Sequence, residues 1–191
     1  MKFKKISVGI TGIFLFVAAG LPQTAFAAEI AMDLRFAGAF VTGITHVVDP
    51  MSGGTAPSAL IHTTSKGSPG GAVTRGFGGV TMPAGPPMAD CLGIPGGLPI
   101  AVLENPLVFT FQDLSLLYAK GGSGLICINL DTGAQKFVIE IEFDGGTGRF
   151  EGATGGATIT GEGVPLNSAG TFLAETGTTV GTIIVPDDDD D

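Results

Sequence analysis

Strict alternation of side-chain character over residues 136–143 is the feature that most constrains the fold. Every odd position in this segment is Phe or Ile, whereas the even positions are Lys, Val, Glu and Glu. Such a period of two places all the apolar side chains on one face of an extended chain. No long stretch repeats apolar residues at the i, i+3, i+4 and i+7 spacing of an amphipathic helix. The pattern therefore predicts a half-buried β-strand here and few helices anywhere.

Further β-rich runs, separated by Gly-rich turns, extend this prediction to most of the chain. Residues 125–130 lead into the alternating segment through residues 131–135, which supply the Asp and Gly of a hairpin turn. The other runs are residues 30–42, 59–64, 72–80, 100–112, 114–119, 156–162, 170–175 and 178–185. A parallel sheet would need crossover helices. The spacing therefore predicts an all-β, antiparallel meander that closes as a barrel, with a β-sandwich as the alternative.

Residues 1–27 contain the three parts of a secretory signal peptide. Three of the first five residues are lysine, residues 6–21 are apolar, and Ala25-Phe26-Ala27 is a small-x-small cleavage site. Gly and Thr interrupt the apolar run, which favours cleavage over a retained anchor, and no cysteine follows it for lipid attachment. We therefore expect a mature chain that begins at Ala28, is secreted or periplasmic, and does not span a membrane.

Removal of residues 1–27 would leave a strongly acidic chain. It would take three of the nine basic residues and none of the eighteen acidic ones, which gives a net charge of −12. Residues 186–191, which end in five aspartates, are predicted to be a disordered, solubilising tail. Residues 28–185 suffice for a single domain with a sizeable core. The charge disfavours nucleic acid and anionic lipid as partners.

Cys91 and Cys127 are the only cysteines, and an exported chain with two cysteines is expected to form a disulfide. Cys91 lies in residues 83–99, where five of the twelve prolines predict a long loop rather than a regular strand. Cys127 lies on the strand face opposite Ile126 and Ile128. If the Ile face is the core, the bridge straps the loop across the outside of the sheet. A structural staple is preferred here to a functional lid.

Residues 145–155 are rich in glycine, as a phosphate-binding loop would be. Dinucleotide binding needs a strand, a Gly-rich turn and then a helix, whereas residues 156–162 continue as β-type sequence. The spacing also differs from G-x-G-x-x-G. We therefore expect no nucleotide and no other cofactor. The glycines instead suit a tight strand connection in which Phe150 fills the core while Arg149 and Glu151 face solvent.

The same stretch resembles the GGTGxFxxAxG signature of the dirigent and allene-oxide-cyclase-like barrel superfamily. The matching residues are Gly145, Gly146, Thr147, Gly148, Phe150, Ala153 and Gly155. Small exported bacterial proteins of unknown function are similar in this respect, and the resemblance covers residues 107–185. It implies an eight-stranded antiparallel barrel with a central cavity that accommodates hydrophobic small molecules. It implies no catalytic residue, because the matched signature is a turn rather than an active site.

Three other sets of residues suggest a protease, a metal site or a serine hydrolase, but none has the sequence context that the function requires. Asp131-Thr132-Gly133 has the sequence of an aspartic protease loop, but no second such loop supplies a partner carboxylate, so a hairpin turn is expected. The only histidines, His46 and His62, have no metal-ligand spacing, and we expect no metal site. Ser123 lacks the G-x-S-x-G context of serine hydrolases.

Glu140 and Glu142 are the candidate catalytic residues. They project from one face of one strand, about 7 Å apart, and would form an acid and base pair if that face lined the barrel interior. Solvent-facing alternation explains them equally well.

The leading functional hypothesis is a secreted, non-catalytic β-barrel that binds a small hydrophobic ligand or has a structural or surface role. An isomerase or cyclase acting on a hydrophobic substrate is one alternative. An extracellular adhesion or matrix component, suggested by the Gly/Thr-rich strands and low Lys content, is the other.

Overall fold

The structure, a computed structural model, describes residues 27–49, 54–77, 79 and 81–186, without the side chains of residues 44–49, 54–58 and 77. Residues 1–26 of the predicted signal peptide and residues 187–191 of the predicted tail lie outside this part. The described residues form twelve β-strands and one 3-10 turn at Gly148–Phe150, with no α-helix. The prediction of an all-β chain is confirmed. Among these residues no helix is long and apolar enough to cross a membrane.

Most strands are long, and the short ones cluster in the middle of the chain. Their bounds are β1 Ala28–Asp49, β2 Gly54–Ser68, β3 Ala72–Phe77, β4 Thr81–Pro83, β5 Asp90–Cys91, β6 Ile94–Pro95, β7 Leu98–Val102, β8 Leu107–Phe111, β9 Leu116–Ile128, β10 Gln135–Gly146, β11 Thr154–Pro165 and β12 Phe172–Val185.

Eight of these strands close into an antiparallel barrel. The order around the wall is β10, β11, β12, β1, β2, β3, β8 and β9, and β9 pairs with β10 to complete the circle. A sandwich would leave sheet edges unpaired, whereas here every wall strand has a neighbour on both sides. The barrel prediction is therefore confirmed and the sandwich alternative is wrong.

Strands β4 and β7 continue two wall strands beyond an interruption. Gly76 pairs with Leu107 between β3 and β8, and Thr81 pairs with Val102 between β4 and β7. Both pairs belong to one antiparallel register. Among the described residues between these pairs, Gly79 and residues 103–106 lie outside the ladder, which continues beyond them in the same register.

Two strands are longer than the sequence predicts. Residues 114–119 and 125–130 were expected as separate strands, but Leu116–Ile128 is continuous. Residues 170–175 and 178–185 likewise form the single strand Phe172–Val185. Glycines such as Gly177 break the apolar pattern without breaking the strand, because they make room for interior side chains. A Cβ on Gly177 would lie 2.6 Å from the Phe36 ring.

The Pro-rich segment 83–99 covers the outer wall beside β9. It is mostly irregular and contains the short β5–β6 ladder, which the sequence does not predict. Cys91 and Cys127 form the expected disulfide. Both cysteines are buried and pack with Ile94 and Leu125 on the outside of the barrel, whereas Ile126 faces the interior. The bridge therefore straps the segment across the outer face of the sheet.

Candidate functional site

A row of polar residues crosses the barrel interior in the middle of an apolar core. Each member is directly opposite the next in the ladders that join β10, β11, β12, β1, β2 and β3. In order around the wall, the row consists of Gln135, Gly163, Glu175, Gly38, Thr63 and Thr74. The four polar side chains are all buried. We call these six residues the polar row.

Gly163 allows the first two polar side chains of the row to meet. Gln135 and Glu175 are not on adjacent strands, because β11 lies between them. The Gln135 side chain crosses β11 over Gly163, where a Cβ would lie 2.9 Å from both Cγ and Nε2 of Gln135. Nε2 of Gln135 then donates a hydrogen bond of 3.2 Å to Oε1 of Glu175. The missing side chain at residue 163 is thus part of the site.

Burial changes the acidity of the Glu175 carboxyl. Its side chain is 5% exposed, and desolvation raises the pKa of Glu175 from 4.5 to about 7. The hydrogen bond from Gln135 acts in the opposite direction because it stabilises the charged form. Glu175 is the only ionisable side chain among the described residues that line the cavity. The carboxyl can therefore both donate and accept a proton near neutral pH.

Apolar layers enclose the polar row on two sides. On one side Phe40 lies opposite both Ile61 and Leu173, and the three pack together. On the other side the rings of Phe36 and Phe137 stack with centroids 6.5 Å apart. Polar groups between such layers are shielded from bulk water, so each needs a hydrogen-bond partner inside the barrel.

A small cavity lies against the polar row. The cavity has a volume of about 40 Å³, counted as the space that the centre of a water molecule can occupy. A single water needs roughly 10–15 Å³ of such space. Its apolar lining includes Phe36, Phe40, Ile61, Leu107 and Phe137, and its polar lining consists of Thr63, Ser65, Thr74, Asn105, Gln135, Glu175 and Thr179. An apolar chamber with a few converging polar groups is the usual form of a small-molecule site.

Asn105 places an amide with fully buried polar atoms against the cavity. It lies in the interruption between β7 and β8, and its side chain is 1% exposed. Neither Oδ1 nor Nδ2 of Asn105 makes a hydrogen bond within the described part of the chain.

The two predicted catalytic glutamates lie outside the barrel. Glu140 and Glu142 are exposed on the outer face of β10, whereas the intervening Ile141 is buried. Nζ of Lys120 lies 3.5 Å from Oε2 of Glu142 in an exposed ion pair. These glutamates were candidates only if their face of the strand lined the barrel interior. That face is on the outside.

The Gly-rich signature connects β10 to β11 and plugs one end of the barrel. Phe150 is fully buried, and its ring centroid lies 4.7 Å from that of Phe111. Backbone N–H of Gly145 donates to the carbonyl of Ala153 at 2.7 Å, which closes the turn. Arg149 is exposed as predicted, but its guanidinium also lies over both Phe rings. No residue of the signature lines the cavity beside the polar row.

The other motifs stay on the surface. The Asp131-Thr132-Gly133 segment is an exposed turn, in which Oδ1 of Asn129 accepts bonds of 3.0 Å from the N–H groups of Asp131 and Thr132. Ser123 and His62 are exposed, and the side chain of His46 lies outside the described part. No group of three or more His, Cys, Asp or Glu among the described residues is placed to hold a metal ion.

Sequence reasoning did not identify Gln135, Glu175 or Asn105. The inward positions of β12 are Leu173, Glu175, Gly177, Thr179, Gly181 and Ile183, whereas outward positions include Phe172 and Val180. Hydrophobic alternation therefore gives no sign of which face is inside. No local signal marks these residues, because Gly163 lies one residue beyond the predicted strand 156–162 and its pairing with Glu175 depends on a register that the sequence does not give.

Comparison with known proteins adds little to this description. No protein-family model matches the chain, and no curated protein matches it. Among solved structures, a pterocarpan synthase dirigent protein aligns with 90% of this chain and 98% of its own, at 13% sequence identity and a TM-score of 0.39. That similarity is too distant to transfer a function. The structure therefore establishes the closed eight-stranded barrel. The resemblance to the dirigent and allene-oxide-cyclase-like superfamily stays a prediction.

Proposed function

We propose that this protein is an exported, non-catalytic barrel that binds a small, largely apolar molecule inside the lumen, next to the polar row. The observation that carries the proposal is the convergence of Glu175, Gln135 and Asn105 on one cavity with apolar walls. Buried polar groups oppose folding unless they are paired, so a site that retains them inside an apolar core has the features of a binding site. Four aromatic rings among the lining residues supply the apolar contacts.

The cavity volume limits the ligand. A space of about 40 Å³ for sphere centres suits a slender or small molecule rather than a bulky polycycle. The disulfide between Cys91 and Cys127 is compatible with an oxidising compartment outside the cytoplasm. We therefore expect the ligand to be a small molecule that reaches the periplasm or the medium.

A titration of the protein with 2-pentanone, followed by amide NMR shifts, tests lumen binding. Thr63 and Thr64 are neighbours on β2, but Thr63 is buried inside and Thr64 is exposed outside. We expect Thr63→Phe to fill the cavity and abolish the saturable shifts, and Thr64→Phe to leave them unchanged. Shifts confined to outer-wall residues, or none in the wild type, would show that the lumen does not bind.

Export has its own test. The protein recovered from the periplasm or medium of its host should begin at Ala28 when its intact mass is measured. Retention in the cytoplasm with the N-terminal residues attached would contradict it. Organic extraction of the recovered protein, followed by mass spectrometry, should then release a small apolar compound.

Isomerisation or cyclisation of a hydrophobic substrate is a second candidate function. The observation that favours it is the Glu175 carboxyl, whose pKa of about 7 suits proton transfer at neutral pH. If this function is correct, the extracted compound will be converted by the wild type and will bind unchanged to Glu175→Gln. Equal recovery of unconverted compound from both proteins would leave binding as the function.

A further inference from the structure

The Asn105 amide has none of the usual structural roles of a buried asparagine. Buried side-chain amides in native proteins normally cap a helix, hold a turn or join a hydrogen-bond network. Asn129 shows this role in the same chain, since its Oδ1 accepts two backbone N–H groups of its turn. Oδ1 and Nδ2 of Asn105 have no partner among the described protein groups. The side chain is nonetheless more deeply buried than Glu175.

The position of Asn105 explains how the amide enters the lumen. The β3–β8 and β4–β7 ladders keep one register on either side of residues 103–106. This interruption therefore does not change the register of the two strands. Its local result is that Asn105 is buried against the cavity, while Leu103 and Glu104 are exposed. The interruption thus presents a planar amide to the same space that Glu175 lines.

The chemistry of the amide selects among ligand head groups. Asn105 offers one donor group beside one acceptor. An ammonium has only donors and would leave Nδ2 without a partner. A carboxylate has only acceptors and would leave Oδ1 without one, and no Lys, Arg or His lines the described cavity to balance its charge. A carboxamide has both groups on one edge and can form two hydrogen bonds with Asn105.

We propose that Asn105 is the residue that recognises the polar end of the ligand, and that this end is an uncharged group with adjacent donor and acceptor atoms, as in a carboxamide. The proposal rests on lumen binding as the proposed function and adds the class of head group. Glu175 and Gln135, which line the same cavity, are available to hydrogen-bond a second polar atom of the ligand. The apolar walls hold the remainder of the molecule.

Four small molecules that share a propyl chain distinguish between the possible head groups: butanamide, 2-pentanone, butylammonium and butanoate. Binding is measured by NMR titration at pH 5.5 to the wild type and to Asn105→Leu, which has a similar volume and no polar atom. We expect butanamide to bind the wild type about ten-fold more tightly than 2-pentanone, since it gains an additional hydrogen bond. Asn105→Leu should lose this preference, because it removes two hydrogen bonds to butanamide and one to 2-pentanone.

Other outcomes would overturn the proposal. Equal affinities of butanamide and 2-pentanone for the wild type would remove Asn105 as a recognition residue while lumen binding stood. Tightest binding of butylammonium would assign recognition to Glu175 instead. If no probe binds, the proposed function fails together with this inference.

Thermal unfolding without any ligand provides a second readout. An unpartnered buried amide destabilises the fold, so Asn105→Leu should unfold at a higher temperature than the wild type. Asn129→Leu is the matched control, because it removes an amide that holds a turn and should lower the unfolding temperature. A lower unfolding temperature for Asn105→Leu would show a structural role and would overturn the proposal.

Discussion

Gln135 and Glu175 are hydrogen-bonded through their side chains although a whole strand lies between them. The 3.2 Å bond from Nε2 to Oε1 crosses β11 at Gly163, where no side chain stands in the way. A neutral donor on a buried carboxylate offsets part of its desolvation cost. Gly163 therefore permits the hydrogen bond that lowers the pKa of Glu175, against the larger effect of burial.

Substitution of Gly163 by alanine should raise the pKa of Glu175 above its value of about 7. The new Cβ would lie 2.9 Å from Cγ and Nε2 of Gln135, so the amide must move away and the hydrogen bond is lost. At pH 8 the loss should lower the free energy of unfolding by about 2 kcal/mol. Carbon NMR of the Glu175 carboxyl across a pH titration measures the shift directly.

Gly121→Ala is the control for this substitution. No atom lies within 4 Å of the position that its Cβ would take. The Glu175 titration should therefore be unchanged in Gly121→Ala. An unchanged Glu175 titration in Gly163→Ala as well would show that Gln135 does not stabilise the carboxylate.

Glu175 should make the folded state less stable as pH rises from about 4.5 to 7. The folded protein binds the Glu175 proton more tightly than the unfolded chain, so its contribution is fully present below pH 4.5 and is lost as pH rises through about 7. A pKa difference of this size corresponds to about 3 kcal/mol at 1.36 kcal/mol per unit. Urea unfolding at several pH values measures the change.

The Glu175→Gln variant isolates this contribution from that of the other acids. Its free energy of unfolding should lack the decline, so the difference between variant and wild type should grow by about 3 kcal/mol between pH 4.5 and 8. A difference that does not vary with pH would mean that Glu175 titrates normally in the folded protein.

The sequence predicts the barrel well because its main signals are local. Alternation over residues 136–143 and the Gly-rich turns identify most wall strands, and two cysteines in a chain predicted to be exported identify the bridge. The interior is a different problem, since it depends on which residues face one another across several strands. Gly163 and Gly38 contribute to the polar row because they have no side chain. A pattern of hydrophobic and polar residues does not show where such a gap is needed.

The orientation of Glu140 and Glu142, which the sequence leaves open, depends on the same relationship between strands. The alternating strand shows two faces, and the sequence alone does not say which side of a closed barrel each face takes. Once β9 and β11 flank β10, the Phe and Ile face turns inward and both carboxylates are outside. The acid that does enter the lumen, Glu175, sits in a strand that the sequence divides at Thr176 and Gly177.

The Cys91–Cys127 bridge should contribute about 4 kcal/mol to the free energy of unfolding. It closes a loop of 36 residues, and the loss of chain entropy in the unfolded state scales with the logarithm of that length. A double Cys91→Ala, Cys127→Ala variant should show the loss in urea unfolding and retain the circular dichroism of the barrel. If the bridge instead served a lid, probe affinity would change more than stability.

Arg149 should stabilise the plugged end of the barrel mainly through its contacts with two rings. Its guanidinium lies 4.7 Å from the Phe150 centroid and 5.0 Å from that of Phe111, and its Nε lies 3.1 Å from Oδ2 of Asp113. Arg149→Met removes these contacts together with the 3.2 Å hydrogen bond that Nη1 donates to the Pro69 carbonyl. It should lower the free energy of unfolding by about 1–2 kcal/mol.

The Asp113→Asn variant distinguishes the rings from the ion pair at this end. It removes the charge but keeps the oxygen that accepts a hydrogen bond from the Ser115 N–H at 3.1 Å. Exposed ion pairs contribute little, so Asp113→Asn should lower the free energy of unfolding by less than about 0.5 kcal/mol. Equal losses in Arg149→Met and Asp113→Asn would show instead that the ion pair, and not the guanidinium over Phe111 and Phe150, holds Arg149 in place.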